Sequence, residues 1–352
     1  MIDLAIPTIA KIKIINMKHK VLAVCGGNGS WLYPMKDNLT GNIEGRSLFH
    51  TPNNIQWNRN FEGIPFYKKP EEVFDFPDVI VGAPDCGSSS MMALTRAKEF
   101  SNPLDNDSFA MFFDQIKTYK PSIFFMENLP KAKYSVKEIK WLSEEYHLHY
   151  LTGSVLKFGN SQVGRIRLIV MGIRKDFPVN HKLIWKHITK FKEYKPKTTG
   201  VLLKGLKSNN HSIPWGHITE LINSEVTMYA GFKMTLSEVR RYWIDHPNEK
   251  RFIASKRKYS SAPGVYRNLK HSYPQVARKS NRQFNPDGYQ MSPRELARIQ
   301  GIPDEFIIHA ERENINYWIN KGRTTVAKCP PYEVGTWIKQ SLEWIFRHKK
   351  FI

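Results

Sequence analysis

The chain has 352 residues, 41% hydrophobic and 12% aromatic, a composition that excludes a disordered chain and leaves room for two domains. Its 53 Lys and Arg exceed its 32 Asp and Glu for a formal charge of +21, so a polyanion is the expected partner, because neutralised phosphates release condensed counterions. Three cysteines without paired spacing argue against a disulfide framework and a zinc site, and no apolar run reaches the ~18 residues of a membrane span. The expected setting is the reducing cytoplasm, with no metal.

Residues 1–20 alternate apolar and basic positions without a signal-peptide core, and read as an extension that could add an edge strand. Val21 to Val24 is a short apolar run ending in Cys25-Gly26-Gly27-Asn28-Gly29-Ser30. Glycines after a strand let the backbone turn tightly and approach a cofactor, although an ordinary tight turn reads the same way. Glu44 is the acidic residue placed to take ribose hydroxyls, or else simply a solvated loop carboxylate. Asp78 to Val81 is the second run, followed by Gly82-Ala-Pro84-Asp85-Cys86-Gly-Ser-Ser-Ser90. A hydroxyl-rich loop after a strand can present the Cys86 thiol to solvent, whereas Cys25 and Cys329 read as small buried hydrophobes.

Ser122 to Met126 is the third run, closed by Glu127 and Asn128. A carboxyl ending a buried strand tends towards a raised pKa, as a general acid needs; an ion pair with Arg165 or Arg167 is the other reading. Arg165 and Arg167 open the fourth run, Arg167 to Ile173, and a period of two puts both guanidinium groups on one face. Helical stretches are expected at Ser108 to Tyr119 and Ser135 to Tyr146. Short buried strands spaced by helices predict an α/β, doubly wound, Rossmann-like sheet. Ligands of such sheets gather at the carboxyl ends of the strands, so one crevice can hold the glycine turn, Cys86 and Glu127.

After Asp176 the chain turns rich in Lys, Asn, Ser and Tyr, with weaker periodicity and a basic run from Arg251 to Tyr259. This predicts a second, smaller domain. Ser292, Pro293 and Glu295 carry the signature of a helix start, Gly301 ends that helix, and a last helix runs from about Tyr332 to Arg347. The expected division is 1–176, 177–318 and 319–352, the last a helix returning to the first domain.

Taken in order, these segments resemble the cytosine-5 DNA methyltransferases. The family's Phe-x-Gly-x-Gly-Gly turn is similar to Cys25 through Ser30, and its Gly-Gly-Pro-Pro-Cys-Gln-Gly-Phe-Ser loop aligns without gaps to Gly82 through Ser90. Glu127-Asn128-Leu129 matches Glu-Asn-Val, Arg165 and Arg167 match the two arginines of Gln-x-Arg-x-Arg, and Ser292 to Asp304 and Pro330-Pro331 match the closing motifs. The chain departs at Asp85, where the family has proline, at Gly87 and Ser89, at Gln162, one place early, and at Val326-Ala327, where the family has Gly-Asn. No acidic residue clearly matches the one that contacts the cofactor's adenine.

The resemblance implies S-adenosyl-L-methionine held by Cys25 to Ser30, Glu44 and Pro84, and a monomer acting on double-stranded DNA. It implies that Cys86 adds to carbon 6 of a flipped-out cytosine. Glu127 would serve N3 and the 4-amino group, Arg167 the carbonyl at carbon 2, and Arg165 the loop or a phosphate. A DNA-binding protein of the same fold without catalysis, an RNA-directed enzyme, and the same chemistry with a modified base or cofactor are the alternatives.

Overall fold

The computed structural model describes residues 19–44, 50–73, 75–85, 107–206, 225–227, 233–252, 265–274, 283–288, 291–308 and 315–348. The expected edge strand within residues 1–20 therefore lies almost wholly outside the described residues, as does Cys86. Seven strands build one sheet: β1 (Val21–Val24), β2 (Leu39–Ile43), β3 (Phe66–Tyr67), β4 (Val79–Gly82), β5 (Ile123–Asn128), β6 (Tyr146–Ser154) and β7 (Ile166–Arg174). Their order is β3-β2-β1-β4-β5-β7-β6. The first five run parallel, and β7 enters antiparallel to both β5 and β6.

The reason these runs are strands is burial on both faces. In β1, Val21 and Ala23 face one side and Leu22 and Val24 the other, and all four are inaccessible to solvent. Val79, Val81, Ile123, Phe125 and Met171 share the first side with Trp31, Trp57 and Phe61. Ile80, Phe124, Met126 and Val170 share the second with Phe109, Phe112 and Ile116. The sheet is thus the middle layer of a doubly wound α/β fold.

The described helices are α1 (His50–Asn60), α2 (Asp107–Tyr119), α3 (Ala132–Glu138), α4 (Lys140–Glu145), α5 (His181–Ile188), a one-turn α6 (Thr199–Leu202), α7 (Leu236–Asp245), α8 (Pro293–Ile299), α9 (Ile315–Lys328) and α10 (Tyr332–His348). One expectation needs correction here. The single helix expected from Ser135 to Tyr146 is two short helices broken at Ile139, and Tyr146 already begins β6. The start of α8 is as expected: the Ser292 hydroxyl accepts the Glu295 N–H at 3.1 Å and the Glu295 carboxylate accepts the Ser292 N–H at 2.8 Å.

Beyond the large sheet lie a hairpin of β8 (Glu225–Thr227) with β9 (Lys233–Thr235), and a small sheet of β10 (Arg251–Phe252), β11 (Val265–Arg267) and β12 (Gln283–Phe284). Helix α7 packs Trp243 near Phe284 of this small sheet, and Arg267 donates to the Trp243 carbonyl at 2.8 Å. Helix α10 returns to the large sheet, where Trp337, Ile338, Leu342 and Ile345 join its first face. Among the described residues no helix is long and apolar enough to cross a membrane.

Candidate active site

Strand order reverses between β1 and β4, and a ligand crevice is expected outside their carboxyl ends. Here Val24 pairs with Gly82, so the two loops that follow begin side by side. A side chain at Gly82 would place its Cβ 2.2 Å from the Val24 carbonyl oxygen, so only glycine allows this approach.

The loop after β1 is tied down by its backbone. Cys25 takes a positive φ of 58° and donates its N–H to the Ile43 carbonyl at 2.7 Å. Gly26 N–H is accepted by Asn42 Oδ1 at 3.0 Å and Gly27 N–H by Glu44 Oε2 at 2.8 Å. Gly29, at φ 80°, lies so close to Phe61 that an added Cβ would come within 2.4 Å of the ring. The glycine turn and Glu44, separate in sequence, are therefore one structure at the ends of β1 and β2.

Asn53 also donates to Glu44, at 3.0 Å, and Asn42 at 3.4 Å. Burial nevertheless lifts the Glu44 carboxyl to about 7, with the charge of Asp85 adding to it and the three hydrogen bonds opposing it. Asn28 and Ser30, expected with the cofactor set, are fully buried. Asn28 Oδ1 accepts from the Cys329 thiol at 2.9 Å, and its amide donates to Gln56, which donates on to Thr325. The Asn28 side chain thus braces the turn from inside, while Asn42 and Glu44 hold the Gly26 and Gly27 N–H groups.

Pro84 is buried, and its carbonyl accepts from Asn128 Nδ2 at 3.1 Å, so β5 steadies the turn that leads to Cys86. Asp85 is exposed and donates its backbone N–H to Ser108 Oγ at 2.9 Å. The Ser108 carbonyl in turn accepts from the Cys25 thiol at 3.5 Å. Burial, then Glu44 and Asp85, push the Cys25 thiol well above its ordinary value, which fits an inert thiol; burial does the same for Cys329, to about 11.

At the end of β5, Glu127 Oε1 lies 2.8 Å from Arg167 Nε, with side chains 8% and 17% exposed. Burial raises the Glu127 carboxyl above its ordinary value, against the opposing charges of Arg167 and Arg165. Arg165 takes a different path from Arg167. It is buried, and donates to the Cys329 carbonyl at 2.8 Å, to Gln300 at 3.1 Å and to Gln162 at 3.3 Å. Arg165 lies one residue before β7, which begins at Ile166, and the charges of both arginines act on Glu127. Gln162, one place early in sequence, reaches this cluster through Gln300 at 2.7 Å.

Sequence reasoning passed over Asn42, Asn53, Gln56, Asn160, Gln300 and Glu333. Asn160 donates to Glu333 at 2.9 Å, and burial lifts that carboxyl to about 7. These are isolated amides and acids in polar stretches; only Gln300, inside the motif from Ser292, carried a signal. Among the described residues no group of His, Cys, Asp and Glu is arranged to hold a metal.

A doubly wound, mostly parallel α/β sheet with a glycine turn, an acid at the end of β2 and a carboxyl–guanidinium pair one strand beyond β4 is the arrangement of the Rossmann-like methyltransferase fold. The model of the C-5 cytosine-specific DNA methylase family matches residues 53–320, and the chain belongs to that family. The family and fold use S-adenosylmethionine as methyl donor. A Type II methyltransferase, M.MthTI of Methanothermobacter thermautotrophicus, is 25% identical over 316 residues, 80% of this chain and 86% of that protein.

Among solved structures, a prophage-encoded protein of E. coli described as a DNA modification methyltransferase superposes with a TM-score of 0.60 at 15% identity, covering 94% of this chain and 99% of that one. The methyltransferase EhMeth of Entamoeba histolytica gives 0.55 at 14% identity over 94% and 99%. A DNMT2 mutant of Spodoptera frugiperda gives 0.54 at 12% over 92% and 99%. These likenesses support the fold.

Proposed function

We propose that the protein methylates carbon 5 of cytosine in double-stranded DNA through a covalent cysteine adduct, working as a monomer in the cytoplasm. The observation that carries this reading is the pair of a buried Glu127 and a half-buried Arg167, set at the carboxyl end of β5 beside β4, the strand that leads to Cys86. Gly26 and Gly27 after β1 and Pro84 after β4 would line the cofactor's place, and Glu44 after β2 would accept its ribose hydroxyls. The cofactor supplies an electrophilic methyl group.

The chain's own residues do the rest. Cys86 as thiolate adds to carbon 6, which makes carbon 5 an enamine nucleophile; loss of the carbon 5 proton later expels the thiolate and restores the ring. Glu127, whose burial favours the protonated form, donates to N3 as electrons move into the ring and accepts from the 4-amino group. Arg167 holds Glu127 in place and offers its remaining N–H groups to the carbonyl at carbon 2. Arg165 is a positioning residue that ties the start of β7 to Gln300 and Cys329. The base must leave the duplex to reach these groups. Residues 177–318 form the part that selects the target sequence, and 1–176 with 319–352 form the catalytic body.

DNA carrying 5-fluorocytosine tests the proposal, because fluorine cannot leave as the proton does. The wild-type protein with cofactor is expected to form a complex that survives denaturation, and Cys86→Ser to form none. Methylation of ordinary cytosine without any trapped complex would sink the covalent reading. Trapping on the matching RNA but not on DNA would move the substrate to RNA.

A further inference from the structure

The family resemblance places glutamine two residues before the first arginine of the pair, and this chain has it three before, at Gln162. The turn between them takes up the difference. Gly164 has a φ of 80°, with nothing within 4 Å of the Cβ that another residue would carry, and Val163 donates its N–H to the Pro274 carbonyl at 3.3 Å. With Val163 and Gly164 forming that turn, Gln162 and Arg165 both donate to one atom, Gln300 Oε1, at 2.7 and 3.1 Å.

Gln300 is completely buried, and its amide has no capacity to spare. Oε1 accepts those two N–H groups, while Nε2 donates to the Val326 carbonyl at 2.9 Å and to the Cys329 carbonyl at 3.3 Å. Arg165, 1% exposed, closes the ring by donating to the same Cys329 carbonyl at 2.8 Å. A buried guanidinium is costly unless its N–H groups are met, so these oxygens decide where Arg165 rests. Two residues on, Arg167 meets Glu127 at 2.8 Å. Gln300 itself caps the end of α8, whose first turn is bonded to the small sheet by Asn285 donating to Glu295 at 2.9 Å. One amide thus ties the start of β7 to a helix anchored in the second part of the chain.

We propose that Gln300 is a positioning residue for methyl transfer: it sets the register of Arg165 and, through the start of β7, holds the Arg167 guanidinium against Glu127. The inference rests on the roles proposed above for Glu127 and Arg167. It also gives the displaced Gln162 a purpose, since that side chain locks the turn onto the same oxygen.

Steady-state methylation of duplex DNA by the full-length protein tests it, alongside calorimetry of S-adenosylmethionine binding. Gln300→Met keeps the length and burial of the side chain but none of its hydrogen bonds. It is expected to lower kcat by roughly tenfold, within the cost of slightly misplacing a positioned group. S-adenosylmethionine should bind within about twofold of wild type, because the Cys329 thiol and not Gln300 holds Asn28. Arg165→Lys, which keeps the charge and loses the planar fork, should lower kcat in the same way. The double variant should be no slower than the slower single, as one residue acting through the other requires. If Gln300→Met does not fold, Gln300→Asn, with its amide one methylene short, takes its place in the same comparison. An unchanged kcat, cofactor binding that weakens in parallel with kcat, or losses that multiply in the double variant would each overturn the proposal. A wild-type protein that methylates no cytosine would overturn the proposed function itself, a separate outcome.

Discussion

Glu44 and Glu333 hold two of the least comfortable carboxyls in the molecule, both lifted to about 7 by burial. A carboxyl whose folded pKa lies above its unfolded value near 4.5 takes up a proton on folding. Its contribution is fully present below the unfolded value and is lost as pH rises through 7. Urea unfolding of the cofactor-free protein should therefore show stability falling between pH 5 and pH 8. Glu44→Gln and Glu333→Gln should each flatten that slope by about 1–2 kcal/mol, allowing for partial solvent screening. An unchanged slope in both variants would contradict the assignment. The pair at Glu127 and Arg167 was legible as chemistry in the sequence, but its partner choice was not. Spacing alone treated Arg165 and Arg167 alike, and only the fold pairs Arg167 with Glu127 and joins Arg165 to Gln300 and Cys329.

At the scale of elements, the close approach of β1 and β4 is the contact that sets the crevice. Gly82→Ala would drive a methyl group to 2.2 Å from the Val24 carbonyl and into Phe112, whose ring carbons lie at 2.5 and 2.6 Å. Backbone cannot give way as a flexible side chain can. A loss of roughly 3 kcal/mol in a urea melt is expected, with any remaining folded protein weakened in cofactor binding. A neutral result would mean the strands part more easily than this geometry allows.

The strands β1, β4, β5 and β7 were readable because burial on both faces leaves unbroken apolar runs. β2 was not, since Leu39-Thr-Gly-Asn-Ile43 is set by pairing with β1 and by the Asn42 side chain holding Gly26, both long-range facts. β6 hid behind a helical pattern: as an edge strand it is half-exposed, and its Tyr-His-Leu-His alternation follows directly on the two short helices.

For the whole molecule, charge is the property that reaches furthest. With DNA as the proposed substrate, a net +21 implies several phosphate contacts, each contributing about −0.9 to the log–log slope of affinity against salt. A fluorescence titration of duplex DNA between low and physiological salt should fall steeply, and a flat line would remove the electrostatic part of the proposed partnership. The composition announced this polyanion partner from the start. It said nothing of how the two ends of the chain meet.

That meeting has a consequence in time. Cys329, 301 residues beyond Asn28, hydrogen-bonds the inner side of the glycine turn, and Thr325 completes the chain of contacts through Gln56. A polypeptide still emerging from the ribosome has made β1 and its turn long before the segment that braces them exists. The glycine turn should thus stay unbraced until Thr325 and Cys329 have been made and have folded back onto it.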